Sequence, residues 1–208
     1  MSGIALIVIA KEPIPGRAKT RLSPPCTPAE AAALAEAALH DTLEAVSLTP
    51  ASRRVLVFDG DARRFAHHGL EVIPQRGTGL EERLGAAFED VAAPALLVGM
   101  DTPQLTPRLL LEGMRALSAP AVDAVLGPAA DGGYWSVGLK RPAGSVFTGI
   151  PMSSAITCRK QRARLRELGL RVHDQPALRD VDTIDDARAV AHNAPNTRFA
   201  SALAAIAP

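Results

Sequence analysis

Cysteine is scarce in this chain. Only Cys26 and Cys158 occur, far apart and in no spacing that suits a metal or a redox pair, which reads as two free thiols in a reducing compartment. Aromatic residues make up 3% of the 208 residues, with Trp135 the one tryptophan and Tyr134 the one tyrosine; both suit packing better than a stacking platform. The basic stretch from Arg159 to Arg166 has no interleaved aromatics, and its charges spread around a helix as a solvated face would spread them. An excess of one charge is missing too. Lys+Arg 23 against Asp+Glu 22 leaves a formal net charge of +1, which argues against a dedicated nucleic-acid binder. No apolar run is long enough to cross a bilayer. The apolar start has neither a basic n-region nor a small-residue cleavage site, so it reads as a first strand, and the expected location is the cytoplasm. The five histidines include no His-Glu-x-x-His, and the lack of a Gly-x-Ser-x-Gly elbow leaves serine hydrolase chemistry without support.

What the chain does have is 47% hydrophobic residues, enough for a sizeable core, laid out as short apolar runs between helical stretches. Strands are expected at residues 4–10, 55–58, 71–74, 95–100, 123–126, 134–139 and 171–173. The closeness of 134–139 to the strand before it suggests an antiparallel or edge excursion. Thr27, Pro28 and Glu30 write a capping box with proline at the first helical position, opening a helix to about Val46. A short helix is expected at 62–68. Leu80, Leu84 and Phe88 recur at helical spacing, Thr106 and Pro107 start a helix to about Leu117, and a very basic helix is expected over 153–169. Thr183 caps another, and an alanine-rich tail helix is expected within 194–208. Alternating strands and helices imply an α/β fold with a mostly parallel sheet covered on both faces, in a single domain over 1–208.

One stretch organises the rest. The first apolar run opens into Lys11-Glu12-Pro13-Ile14-Pro15-Gly16-Arg17-Ala18-Lys19-Thr20-Arg21-Leu22, a loop with the cations Lys11, Arg17, Lys19 and Arg21. Its prolines and glycine constrain its path. The carboxyl end of a first strand is where open α/β sheets bind anionic ligands. A Walker loop needs Gly-Lys-Ser/Thr where Gly16 is followed by Arg17-Ala18-Lys19-Thr20, and the single glycine rules out the dinucleotide fingerprint. If the backbone is extended, Lys19 and Arg21 point the same way, and two fixed cations can neutralise a triphosphate and stabilise departing pyrophosphate.

Carboxylates supply the candidate metal ligands. Asp101 stands where a hydrophobic strand ends and Pro103 turns the chain, a position that suits Mg²⁺ or Mn²⁺ bridging to phosphates, or a simple turn cap. Asp180 and Asp182 alternate about Val181, so one of them can offer a second ligand, although Asp182 also stands where a helix dipole favours negative charge. Asp131-Gly132-Gly133 reads as a turn whose glycines let a backbone approach a ligand. Residues 75–79 leave the same choice open, and Arg83 points either at phosphate or at solvent.

Taken in order, residues 10–22, 75–84, 99–103, 127–139 and 180–183 resemble a bacterial family, DUF2064, described as glycosyltransferase-like or as resembling the 2-phospholactate guanylyltransferases. The Lys-Thr-Arg-Leu and Asp-Gly-Gly-Tyr segments carry most of that likeness. The resemblance implies the Rossmann-like GT-A fold of nucleotide-diphospho-sugar transferases. It also implies that Ala10, Lys11, Pro15, Gly16, Lys19, Thr20, Arg21, Gln75, Gly77 and Arg83 contact a nucleotide, GTP in the guanylyltransferases. Lys19, Arg21 and Asp101 would then serve catalysis, Asp131, Gly132 and Gly133 the second substrate, and Asp101 with Asp182 the divalent metal. The chain departs from the family's pattern at Gly79, Glu81, Met152 and Ser154, in segments expected near the acceptor. Three functions follow: nucleotidyl transfer from an NTP to a small phosphorylated or acidic acceptor, sugar transfer from an NDP-sugar, and a non-catalytic nucleotide-binding module. Neither nucleic acid nor membrane is expected as a partner, and a homodimer is compatible with the chain. The charge on the cationic loop ranks nucleotidyl transfer first, and the absence of an Asp-x-Asp pair at Asp101 weighs modestly against sugar transfer.

Overall fold

The computed structural model describes residues 3–206. Its centre is a seven-stranded sheet in the order β3-β2-β1-β4-β6-β5-β7, formed by β1 (Ala5–Lys11), β2 (Arg54–Asp59), β3 (Glu71–Pro74), β4 (Ala95–Val98), β5 (Ala124–Pro128), β6 (Tyr134–Leu139) and β7 (Val172–Asp174). The central strands read as unbroken apolar runs because both faces are covered. In β1, Leu6 and Val8 face one core and Ala5 and Ile7 the other. The first core is closed by α1 (Pro28–Ser47) and α3 (Pro107–Ser118), the second by α2 (Leu80–Val91) and α4 (Thr157–Glu167). A third apolar cluster packs α5 (Ile184–Asn193) and α6 (Arg198–Ile206) on the outer side of α1. Asp41 on α1 fastens this layer, accepting from the amides of Arg198 and Phe199 at 2.9 Å each.

The alternation of elements along the chain predicts this arrangement well, and the departures are local. Strand 134–139 is antiparallel, as expected, but it is no edge excursion: β6 lies inside the sheet, paired with both β4 and β5. Burial decides this, since Trp135, Val137 and Leu139 are buried and an edge would leave one side of the strand unpaired. A side chain at Gly138 would meet Leu96, Leu117 and Val125, so glycine lets α3 approach. The expected strand 95–100 stops at Val98. The helix expected from 153 starts at Thr157, because Ser153 takes a left-handed φ of 54° and the Thr157 hydroxyl donates to the Pro151 carbonyl at 2.6 Å. Residues 207–208 of the expected tail helix lie outside the described residues.

The capping box at α1 is complete, with the Glu30 amide donating to Thr27 Oγ1 at 3.3 Å and the Thr27 amide donating to Glu30 Oε2 at 2.7 Å. Thr27→Ala should cost about 1 kcal/mol, measurable as a lower denaturant midpoint at unchanged slope.

Candidate active site

Strands β1, β2, β3 and β4 run parallel, and the chain leaves β1 toward β2 and β3 on one side but places β4 on the other. That reversal at the carboxyl ends of β1 and β4 is the point where open α/β sheets form a ligand crevice. A cleft of about 480 Å³ opens there. Ala10 and Lys11 come to it from β1, Gly99 to Thr102 from the end of β4, and Tyr134 to Ser136 from the start of the antiparallel β6. Ile9, Leu84, Leu97 and Trp135 give it an apolar floor. An adjoining depression of about 260 Å³ carries Arg17, Lys19, Thr20 and Arg21. Asp101, Asp182, Lys11 and Ser153 border both.

The loop after β1 is anchored from both sides. The Glu12 amide donates to the Asp59 carbonyl at 2.8 Å, and the amides of Arg17 and Ala18 both donate to Ile14 O at 3.0 Å. Ala18 and Leu22 are buried beneath it. Lys19 and Arg21 do converge, but the backbone between them is not extended. Lys19 is left-handed (φ 47°, ψ 43°), and Thr20–Leu22 forms a 3-10 turn. This tight bend, rather than strand alternation, brings both side chains to Asp182. The Lys19 ammonium lies 2.8 Å from Asp101 Oδ1 and 3.1 Å from Asp182 Oδ1, and Arg21 Nη1 lies 3.4 Å from Asp182 Oδ2. The Lys19 side chain is only 10% exposed. Burial alone would lower its pKa, but the pairs with Asp101 and Asp182 outweigh it and hold the group above the ordinary lysine value, so it stays charged.

The carboxylates come from segments about eighty residues apart in the sequence, joined where the Val181 amide donates to the Asp101 carbonyl at 3.1 Å. Asp180 lies beside them in the cleft. Its Oδ1 is buried with no hydrogen-bond partner among the described residues. Burial first, and then the charges of Asp101 and Asp131, push its carboxyl up to about 7. A buried orphan oxygen beside two further carboxylates is a polar group that the chain itself leaves unsatisfied. Among the described residues no three or more His, Cys, Asp or Glu form a closed metal cage. That is compatible with Mg²⁺ or Mn²⁺, hard ions that take one or two protein carboxylates and complete their shell with phosphate and water oxygens.

At the other end of the cleft Gln75 ties three elements together. Its Nε2 donates to Ala10 O at 2.7 Å and to Val57 O at 3.3 Å, while its Oε1 accepts from Arg83 Nη1 at 3.1 Å. Arg83 also pairs with Asp59 at 2.9 Å. The Arg83 guanidinium is therefore held at the cleft and not turned to solvent. Gln75→Leu should lower stability by about 1–3 kcal/mol, the cost of taking the side-chain donor from the Ala10 carbonyl, while Arg83 keeps Asp59 and the Gly77 carbonyl, as read by chemical denaturation.

Not every residue expected at the nucleotide lines this cleft. Gly77 takes φ 110° with Glu82 against it, and it faces a separate depression beside Glu81 and Gly85. Pro15 and Gly16 form the exposed outer bend of the loop, Gly16 at φ 77°. Of the Asp131-Gly132-Gly133 turn, Asp131 and Gly133 line the cleft, and Asp131 Oδ1 accepts from the Gly133 amide at 2.8 Å. Gly132, at φ 90°, abuts Ala155 so closely that a side chain there would collide with its carbonyl. It acts as a packing point for the segment before α4, whose Cys158 amide donates to Gly132 O at 2.8 Å. Thr78, Leu80, Met152 and Ser153, from the two segments expected near the acceptor, line the cleft, and the structure adds Ser136 and Thr157, which the sequence did not assign to a site. The left-handed Ser153 has no sequence signal, because serine rarely takes that conformation.

A seven-stranded mixed sheet with a polar, acidic and cationic crevice at its switch point, together with the relatives that share it, makes this an α/β enzyme of the nucleotidyl- and nucleotide-sugar transferase class. A solved protein of Desulfovibrio desulfuricans G20, described provisionally as a nucleotide-diphospho-sugar transferase, superposes with a TM-score of 0.84 at 29% identity, over 98% of this chain and 94% of that one. Rv0371C of Mycobacterium tuberculosis H37Rv, solved in complex with manganese, shares the fold at a TM-score of 0.53 and 21% identity, over 91% of this chain and 98% of its own. Phosphoenolpyruvate guanylyltransferase of Roseiflexus sp. (strain RS-1) is 31% identical over 175 residues, 82% of this chain and 78% of the relative. The pattern of DUF2064, an uncharacterized protein conserved in bacteria, matches residues 42–154. The chain belongs to that family.

Proposed function

We propose that this protein is a metal-dependent nucleotidyltransferase that moves an NMP group from an NTP to a small phosphorylated or acidic acceptor and releases pyrophosphate. The observation that carries the reading is the meeting of Lys19, Arg21, Asp101 and Asp182 at one mouth of the cleft. Cations for a leaving pyrophosphate and carboxylates for a divalent ion stand side by side. In the reaction an acceptor oxygen attacks the α-phosphorus, the bond from that phosphorus to the bridging oxygen breaks, and pyrophosphate departs with the electron pair. Lys19 and Arg21 stabilise the charge that builds on it. Gln75 and Arg83 orient the nucleotide at the β1–β3 end, and Asp131 with Gly133 borders the acceptor at the β6 end.

Asp101 and Asp182 would hold the metal, with Asp180 beside them in the cleft. When bound, Mg²⁺ or Mn²⁺ supplies Lewis-acid neutralisation of phosphate oxygens. The guanylyltransferase relative makes GTP the first nucleotide to test. No membrane partner is required by the reading, and no helix of the described residues is long and apolar enough to cross a membrane.

Sugar transfer from an NDP-sugar is the alternative, favoured by the likeness to the Desulfovibrio protein. Against it, Thr102 and Pro103 follow Asp101 where an Asp-x-Asp pair would place a second carboxylate. A panel of NTPs and NDP-sugars, each with and without Mg²⁺, separates the two. Nucleotidyl transfer expects at least one NTP to stabilise the fold by about 2.7 kcal/mol at a hundredfold excess over Kd, and that NTP to release pyrophosphate once a phosphorylated, carboxylated acceptor such as phosphoenolpyruvate is supplied with it. Stabilisation by NDP-sugars alone, with every NTP ignored, would reverse the assignment.

A further inference from the structure

The carboxylates assigned to the metal are already occupied by a cation of the chain itself. Lys19 Nζ contacts Oδ1 of Asp101 and Oδ1 of Asp182, and Arg21 takes Oδ2 of Asp182. Three of the four oxygens of the pair are thus engaged. The two cations are not equivalent. Arg21 is 73% exposed and reaches one carboxylate from outside, whereas Lys19 is 10% exposed and bridges both. Its position is built: the left-handed backbone at Lys19, between buried Ala18 and buried Leu22, aims the side chain inward. A divalent ion held by Asp101 and Asp182 would compete with the ammonium for these oxygens and would meet its charge at close range.

We propose that Lys19 is the counter-ion of Asp101 and Asp182, and that it yields these carboxylates to a divalent ion only when a nucleoside triphosphate offers its phosphates to the ammonium instead. The inference rests on the metal-dependent reading above. Lys19 then has two stations, one between the carboxylates and one on the phosphates, and the exchange couples the two ligands. Metal alone binds weakly because it must displace a buried ammonium that has nowhere to go. Nucleotide alone binds weakly because it must draw the lysine away from two carboxylates, leaving Asp101 without a cation and Asp182 with Arg21 alone. Together each removes the other's obstacle. The coupling is reciprocal, so the factor by which nucleotide tightens metal equals the factor by which metal tightens nucleotide. This makes Lys19 a positioning residue for the metal as well as a contact for the phosphates. A purely structural ion pair would show only the first station.

The test is Mn²⁺ binding, followed by the electron paramagnetic resonance signal of the free ion, with and without a non-hydrolysable GTP analogue, the Mn²⁺ that the analogue takes up by itself being subtracted from a protein-free titration. It compares the intact protein with Lys19→Met, Lys19→Gln and Arg21→Met, each checked by circular dichroism for a native melt. Removing the ammonium should tighten Mn²⁺ binding in the absence of nucleotide by about tenfold, within the usual span of coupling between sites, while the tightening produced by the analogue shrinks. Arg21→Met should change Mn²⁺ binding far less. The glutamine variant keeps a polar side chain of moderate length and serves if methionine prevents folding. If both Lys19 variants bind Mn²⁺ no better than the intact protein, while the intact protein binds it with the analogue, the counter-ion role is overturned and the metal reading stands. Were Mn²⁺ to bind none of the proteins even with the analogue, the metal reading and this inference would fall together.

Discussion

Exchanging Asp101 for asparagine should reduce nucleotidyl transfer by about 10²–10³-fold, the loss that follows removal of a single preorganised electrostatic group at a reacting centre. That range corresponds to about 3–4 kcal/mol of transition-state stabilisation. The substitution is nearly isosteric, and Asp101 is 43% exposed, so the fold should survive. Lys19 keeps its pair with Asp182 at 3.1 Å, and the Val181 amide keeps its backbone acceptor at Asp101 O. The thermal midpoint of Asp101→Asn should therefore stay close to that of the intact protein while pyrophosphate release collapses. Retention of more than about a tenth of the activity, a loss far below the range expected for such a group, would remove Asp101 from the chemistry and leave it as a turn cap.

Trp135→Ala should have the largest effect on stability, about 3–5 kcal/mol. The indole is 2% exposed and lies against Gly127, where any side chain would strike it. Its Nε1 donates to the Pro176 carbonyl at 3.0 Å, joining β6 to the segment after β7. Truncation empties the space between these strands and strands that carbonyl. For a chain of this size the cost amounts to a fall in Tm of roughly 10 °C or more. Trp135→Phe should recover most of the loss, because a ring refills the space and only the hydrogen bond is missing. Trp135 also floors the cleft, so the alanine variant should bind nucleotide more weakly even at temperatures where it remains folded. Equal melting of Trp135→Ala and the intact protein would contradict this packing role.

Much of the architecture is legible along the chain because it is decided locally. Thr27, Pro28 and Glu30 announce the start of α1, and the side-chain–backbone bonds of the box lie within four residues. Leu80, Leu84 and Phe88 recur at helical spacing on α2, and of these Leu84 and Phe88 are buried in the core while Leu80 is exposed at the cleft. The apolar runs of β1, β2 and β4 announce central strands because both their faces are covered. Edges and insertions are another matter. Nothing within residues 134–139 says which strands β6 will pair with. Its place between β4 and β5 depends on partners that come from residues 95–98 and 124–128.

The site divides along the same line. The sequence by itself determined a cationic bend after the first strand, an aspartate at the end of β4 and a pair of aspartates before α5. Each is a short-range pattern of residue types that a family resemblance could then align. Only the tertiary structure decided that Lys19 bridges Asp101 and Asp182, that Asp180 is left with a buried unpaired oxygen, and that Gly77 and Pro15 stand away from the cleft. The reason is distance along the chain. Lys19 and Asp182 are separated by 163 positions, and no local preference can place an ammonium against a carboxylate across such an interval. The left-handed turn at Lys19 and the anchoring of Val181 to Asp101 do so, once the sheet has brought their strands to the same end.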